Sequence, residues 1–182
     1  MKEEVIMAGF GGQGIMLMGK LLAFAGMKEG YEVSWMPSYG PEMRGGTANC
    51  TVIISTEKIA SPLSFKPDTL IVMNSPSLNK FLSTVKKNGS IYLNSSLIQK
   101  RLKAENKSLN EIPVNDLAAE IGNDKVGNMV ILGSYLAKRD FITLDSVKES
   151  LKEIISEKWQ GLIDLNKRAL EKGAEYINKL SL

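Results

Sequence analysis

A three-layer α/β/α domain with a mixed, largely parallel sheet is the fold class this chain predicts, on three observations. Short apolar runs alternate with longer helical patterns over most of the length. A glycine-rich turn, Gly9-Phe10-Gly11-Gly12-Gln13-Gly14, separates the first apolar run from a helical one. The stretch from Trp35 to Ala48 joins two strands with no helix between them, so that pair is antiparallel and the sheet is mixed. With 182 residues the chain reads as one domain, 1–182, large enough to bury a substantial core.

Taken in order, Val5-Ile6-Met7-Ala8 is a short strand buried on both faces. Gly9, Gly11 and Gly14 then fit G-x-G-x-x-G in a strand–turn–helix setting, a Rossmann-like beginning. Glycines let backbone N–H groups approach a ligand, and the helix start adds partial positive charge that favours phosphate. Two readings of Gly9, Gly11, Gly12, Gln13 and Gly14 stand open: a phosphate cradle, or a tight turn whose glycines permit close packing. Leu17, Leu21, Leu22 and Ala25 give the helix Ile15 to Lys28 its apolar face, and Gly30 caps its end.

Tyr31 to Trp35 is the second strand. A dinucleotide fold needs an Asp or Glu at the end of this strand to hold the ribose hydroxyls; Met36-Pro37-Ser38 stands there instead. This argues against a nicotinamide or flavin site. Pro37 to Thr47 is rich in Gly and Pro and predicts a shaped loop carrying Tyr39, Glu42 and Arg44, with Gly45 and Gly46 behind them. Taken alone, that loop also reads as a solvated turn with a surface Glu–Arg pair. Ala48 to Ser55 is a strand with Cys50, Val52 and Ile54 on one face.

Thr69 to Met73 is the next strand. Ser75 caps a helix running to about Lys87, with Pro76 at its first position. Ser90 to Leu93 is a short buried strand. Gln99 to Asn110 reads as an exposed helix and loop, and Ile112-Pro113-Val114 as a short edge strand. Asp116 to Ile121 is a short helix stopped by Gly122. Gly127 to Lys138 is apolar on nearly all sides and predicts a buried helix, whose Gly127, Gly133, Ser134 and Ala137 allow close approach of another backbone. Thr143 caps a further amphipathic helix, Trp159-Gln160-Gly161 breaks the pattern, and Leu162 to Leu180 is the last helix.

Absences narrow the chemistry. The chain has no histidine and a single cysteine, so it supplies no imidazole base, no Ser-His triad, and neither an iron–sulfur cluster nor a thiolate zinc site of its own. No catalytic residue and no metal ligand is assigned. A net charge of +3 is too small and dispersed to argue for nucleic acid. No apolar run approaches the length of a membrane span, and Lys2-Glu3-Glu4 before a strand is not a signal peptide, so a cytoplasmic protein is expected.

Gly9-Phe10-Gly11-Gly12-Gln13-Gly14, Ser38-Tyr39-Gly40-Pro41-Glu42-Met43-Arg44-Gly45-Gly46, Asn74-Ser75-Pro76-Ser77 and Val126-Gly127-Asn128-Met129 together resemble the gamma subunit of 2-oxoacid:ferredoxin oxidoreductases. The S-Y-G-P-E-x-R-G-G loop is the most specific of these, and the likeness runs over essentially the whole chain. It implies a non-redox subunit of a hetero-oligomer that oxidatively decarboxylates a 2-oxoacid (pyruvate, 2-oxoglutarate or a branched-chain acid) to an acyl-coenzyme A. Thiamine diphosphate, magnesium and iron–sulfur clusters would then lie on alpha, beta and, in some assemblies, ferredoxin-like delta subunits, with ferredoxin as acceptor. Coenzyme A would meet this chain at Gly9–Gly14, and Tyr39 to Gly46 would be a substrate or interface loop. Two alternatives stand beside it: a stand-alone nucleotide-binding oxidoreductase, and a scaffold subunit with no ligand of its own.

Overall fold

The computed structural model describes residues 1–39, 47–99, 102 and 106–180. Among them the strands are β1 (Lys2–Phe10), β2 (Glu32–Tyr39), β3 (Thr47–Ser55), β4 (Thr69–Val72), β5 (Ser90–Asn94) and β6 (Ser108–Ile112). They form one sheet in the order β2-β3-β1-β4-β5-β6. β3 is antiparallel to both of its neighbours, while β1, β4, β5 and β6 run parallel, so the mixed, largely parallel sheet is borne out. The helices are α1 (Ile15–Lys28), α2 (Ser75–Phe81), α3 (Val114–Ile121), α4 (Gly127–Leu136), α5 (Leu144–Ile154) and α6 (Ile163–Lys179).

Side chains of successive strand residues point to opposite faces, and β1 shows what that does in a central strand. Val5 and Met7 enter a large core with α1, α4 and α6, whereas Ile6 and Ala8 enter a smaller one with Leu78 of α2. The three layers are therefore unequal, with most helical mass on one face. That face holds a backbone-to-backbone crossing of α4 and α6. A Cβ at Gly133 would lie 2.7 Å from the Leu170 carbonyl carbon, and one at Gly173 would lie 2.7 Å from that of Val130. Ser134 Oγ, fully buried, donates to the Gly173 carbonyl at 2.9 Å and closes the same contact. The close approach expected at Gly133 and Ser134 is thus made against α6.

Several sequence expectations are corrected. β1 extends from Lys2 to Phe10 rather than only Val5 to Ala8, because β3 pairs with its whole length. β2 continues through Pro37 to Tyr39, where a loop was expected. Proline is tolerated there because β2 is an edge strand and needs no donor on its outer side. The helix after β4 is capped by Asn74, not Ser75: extended at φ −153°, Asn74 accepts from Ser77 N at 2.9 Å. That helix stops at Phe81 and gives way to a 3-10 turn, Leu82–Thr84. Ser108–Ile112, read as part of a polar loop, is the second edge strand, and Pro113 precedes α3 instead of lying in a strand. Glu42, Arg44, Gly45 and Gly46 lie outside the described residues, as does the Tyr39 side chain.

Cys50 carries a test of the core. It is fully buried under α1, and its thiol is pushed by burial from an ordinary 9.0 up to about 12, against smaller opposing contributions from Trp35 and Gly19. Burial also raises the phenols of Tyr92 and Tyr135. An acid raised on folding stays neutral in the native state while the unfolded chain ionises. Its stability contribution is therefore complete below the unfolded value and is lost as pH rises toward the folded one. The slope is at most about 1.4 kcal/mol per pH unit for each group. We expect the melting temperature to fall above about pH 9, with Cys50 labelled by a thiol reagent at the rate of unfolding. Labelling of the native protein at the rate of a free thiol would contradict this packing.

Candidate functional site

The carboxyl end of β1 is where the chain changes direction across the sheet. From β1 it crosses through α1 to β2 and β3 on one side, then returns to β4 on the other. Ligands of open α/β sheets gather at such switch points. β2 runs in the same direction as β1, because each is antiparallel to β3. Phe10 pairs with Thr47 and Tyr39 with Ala48, so Thr47 stands beside the start of the glycine turn and Tyr39 one strand further out. β4 ends beside the same turn, with Ala8 opposite Val72 and Met73 N donating to the Ala8 carbonyl at 2.9 Å. The glycine turn, the residues that flank 40–46 and the end of β4 thus lie at one end of the sheet.

The turn divides its glycines by role. A Cβ at Gly9 would lie 2.7 Å from Gln13 Oε1 and 2.8 Å from Ile15 Cδ1, so Gly9 serves packing. Gly14 is left-handed at φ 71° and has the Asn128 side chain where its own would be, with Asn128 Cγ only 2.8 Å from that point. Gly12 differs. At φ 98° it is also left-handed, which L side chains rarely adopt, yet among the described residues nothing lies within 4 Å of its Cβ position and the residue is exposed. Gly11 stands between Phe10 and Gly12, partly exposed.

Gln13 faces inward. Its Oε1 accepts from Phe10 N at 2.7 Å and from Asn74 Nδ2 at 3.1 Å, and its Nε2 donates to the Met73 carbonyl at 3.4 Å. The side chain thus ties the turn to the end of β4 and does not project outward. Asn94, fully buried at the end of β5, extends the network: it donates to Asn115 Oδ1 at 2.8 Å and to the Met73 carbonyl at 3.5 Å. Among the described residues, the network that holds this turn is made of neutral amides.

Helix α1 begins here without a side-chain cap. Among the described residues, no acceptor is bonded to the amides of Gly11, Gly12 or Gly14. The first N–H groups of a helix have no intrahelical partner, and together with these glycines they leave a set of donors at a positive dipole end. Such a set suits an anion. Lys20 is exposed on α1, more than a turn beyond the glycines. Among the described residues no group of three potential metal-ligating side chains occurs, and no helix is long and apolar enough to cross a membrane.

The sequence alone did not single out Asn128 or Asn74 for this turn. Asn128 is 114 residues from Gly14, and its Nδ2 donates to the Gly14 carbonyl at 3.3 Å. In the sequence Asn128 stands in Val126-Gly127-Asn128-Met129 and Asn74 in Asn74-Ser75-Pro76-Ser77, two of the stretches that carry the family resemblance, but neither pattern ties its residue to the glycine turn.

Comparison with known proteins places the chain in a family and matches its fold. The family model described as pyruvate ferredoxin/flavodoxin oxidoreductase matches residues 4–176. The chain is 39% identical over 179 residues to the ketoisovalerate oxidoreductase subunit VorA of Methanothermobacter marburgensis, covering 97% of this chain and 37% of that protein. It therefore spans little more than a third of that curated relative. A keto/oxoacid ferredoxin oxidoreductase gamma subunit from Geobacter sulfurreducens superposes with a TM-score of 0.83 at 26% identity, covering 97% of this chain and 99% of that one. A 2-oxoglutarate:ferredoxin oxidoreductase from Magnetococcus marinus, solved with 2-oxoglutarate, coenzyme A and succinyl-CoA bound, shares the fold. Its TM-score is 0.89 at 23% identity, over 98% of this chain and 31% of that one. With the family match running through nearly every element of the sheet and its helices, the chain belongs to the pyruvate ferredoxin/flavodoxin oxidoreductase family.

Proposed function

We propose that this chain is the gamma component of a 2-oxoacid:ferredoxin oxidoreductase and that the Gly11–Gly14 turn receives the phosphate end of coenzyme A. The observation that carries this reading is the convergence of the glycine turn, the β2 and β3 residues that flank 40–46, and the Met73-Asn74 strand end at one end of the sheet. The coenzyme A bound in the Magnetococcus enzyme supports the choice of ligand. Gly12 supports it too, because no described atom crowds its outer side. Coenzyme A carries several phosphate charges, which backbone N–H groups and a helix dipole hold without any basic side chain.

In this reading the chain binds and orients; it does not carry the electrons. A single buried cysteine and no histidine do not fit an iron–sulfur cluster, and no Gly-Asp-Gly motif is present to hold the magnesium of thiamine diphosphate, so these groups are assigned to alpha, beta and delta-type partners, with ferredoxin as acceptor. Those groups supply decarboxylation and electron transfer, whereas this chain holds the acyl acceptor in register with them. Tyr39, Glu42, Arg44, Gly45 and Gly46 are proposed to face the partner or the acyl acceptor, and the complex to work in the cytoplasm. The 2-oxoacid is left to the partners, since relatives of this chain serve different ones. A dinucleotide site is disfavoured because the acid of β2, Glu32, starts the strand, about 23 Å from the end where the ribose would lie.

Gly12→Asn tests the phosphate site. Asparagine tolerates left-handed backbone better than other L residues, and there is open space for it, so the subunit should melt within a few degrees of wild type. In the assembled enzyme the added side chain should raise the KM for coenzyme A about tenfold or more, with the KM for the 2-oxoacid unchanged. An unchanged coenzyme A KM would leave the glycines with packing alone.

A further inference from the structure

We propose that Asn128 is a positioning residue for this anion site: it aims the turn at the ligand without touching the ligand itself. The inference rests on the phosphate reading above and adds to it a residue from the far end of the chain. Asn128 is the second residue of α4 and only 4% exposed. Its Nδ2 donates to the Gly14 carbonyl at 3.3 Å, and the same oxygen accepts from Met18 N at 3.0 Å in the first turn of α1.

The peptide unit is planar, so the carbonyl of Gly14 and the N–H of Ile15 point in opposite directions as one rigid group. Fixing the oxygen on the inner side therefore fixes the direction of the Ile15 N–H on the outer side. The carbonyl is one point where the turn is held; Gln13 is the other, clamping Phe10 N from the β4 side. The amides of Gly11 and Gly12 lie between these two clamps. Donors held in place before the ligand arrives do not have to be ordered on binding, and that difference appears as affinity.

Asn128 can act in this way because its own position is fixed. A Cβ at Gly127 would lie 2.8 Å from Val114 Cγ1, so the start of α4 is set tightly against the start of α3. Further along, α4 is locked to α6 by the Gly133 and Gly173 crossing. The space beside Gly14 is filled by the Asn128 side chain, so a glycine at 14 and a short side chain at 128 require each other.

Two variants of the assembled enzyme separate aiming from space-filling. Asn128→Leu keeps the approximate volume and removes the donor; Asn128→Ala removes both. Both are expected to raise the KM for coenzyme A about tenfold while the KM for the 2-oxoacid and kcat stay within twofold of wild type. If the leucine variant keeps wild-type coenzyme A affinity, the side chain only fills space and the proposal fails. It fails equally if both KM values rise together, as general loosening would produce. Gly12→Asn, measured beside them, tells the two failures apart. If it raises the coenzyme A KM and the Asn128 variants do not, the phosphate site stands and the positioning role falls. If neither Gly12→Asn nor the Asn128 variants move that KM, the phosphate reading itself has failed.

Discussion

Gly133→Ala is expected to destabilise the subunit by at least about 3 kcal/mol, lowering the melting temperature by roughly 6–12 °C for a chain of this size. The sign is not obvious from helix propensity. In an exposed helix interior, replacing glycine by alanine gains about 1 kcal/mol. Here the new methyl would sit 2.7 Å from the carbonyl carbon and 2.8 Å from the Cα of Leu170, and neither atom can turn aside as a flexible side chain does. The two helices must separate, opening the Ser134-to-Gly173 hydrogen bond and the core on either side of it. Gly173→Ala meets the Val130 backbone in the same way and should cost a similar amount. Thermal melts of both variants check this; an unchanged or raised melting temperature would mean that α4 and α6 do not cross in contact.

Arg139→Met should cost about 3 kcal/mol as well, for an electrostatic reason. At the opposite edge of the sheet, Arg139 Nε contacts Glu3 Oε1 at 3.2 Å, with the two side chains only 18% and 15% exposed. Arg139 also donates to Thr69 Oγ1 at 2.8 Å, Thr69 donates to Glu3 Oε1 at 2.7 Å, and the guanidinium lies 5.1 Å from the Tyr135 ring centre. Burial alone would lower the Arg139 pKa, but Glu3 and the two nearby tyrosines outweigh it, so the guanidinium stays charged. Removing it strands the Glu3 carboxylate in a site with little water. The double variant Glu3→Gln with Arg139→Met should recover much of the loss, because the carboxylate no longer needs a partner. A pair that contributes nothing would leave the single variant as stable as wild type.

Helix α1 and the start of α5 were more legible than the strand ends and edges. Helix α1 was readable to the residue because Gly14 opens it and Gly30, at φ 86°, turns the chain after it. Thr143 was readable as a cap because it stands immediately before an amphipathic stripe, and its Oγ1 accepts from Ser146 N at 3.1 Å. The edge strands were misjudged. Ser108–Ile112 carries Asn110 and Glu111 and has no apolar run, because a strand at the rim need bury little. Pro37 read as a loop residue because the sequence does not show whether a strand has one neighbour or two.

The residues by themselves determined the class of fold, the strand–turn–helix around Gly9 to Gly14, and a chain with one cysteine and no histidine. Those properties depend on local pattern and on which side chains exist. Tertiary structure alone decided that Gly9 and Gly14 pack while Gly12 stays open, that Gln13 turns inward, and that Asn128 holds the turn. Each of these depends on which atoms of a distant element occupy the space beside a residue. That is settled only when β4 and α4 are brought against the first turn by the burial of their apolar faces.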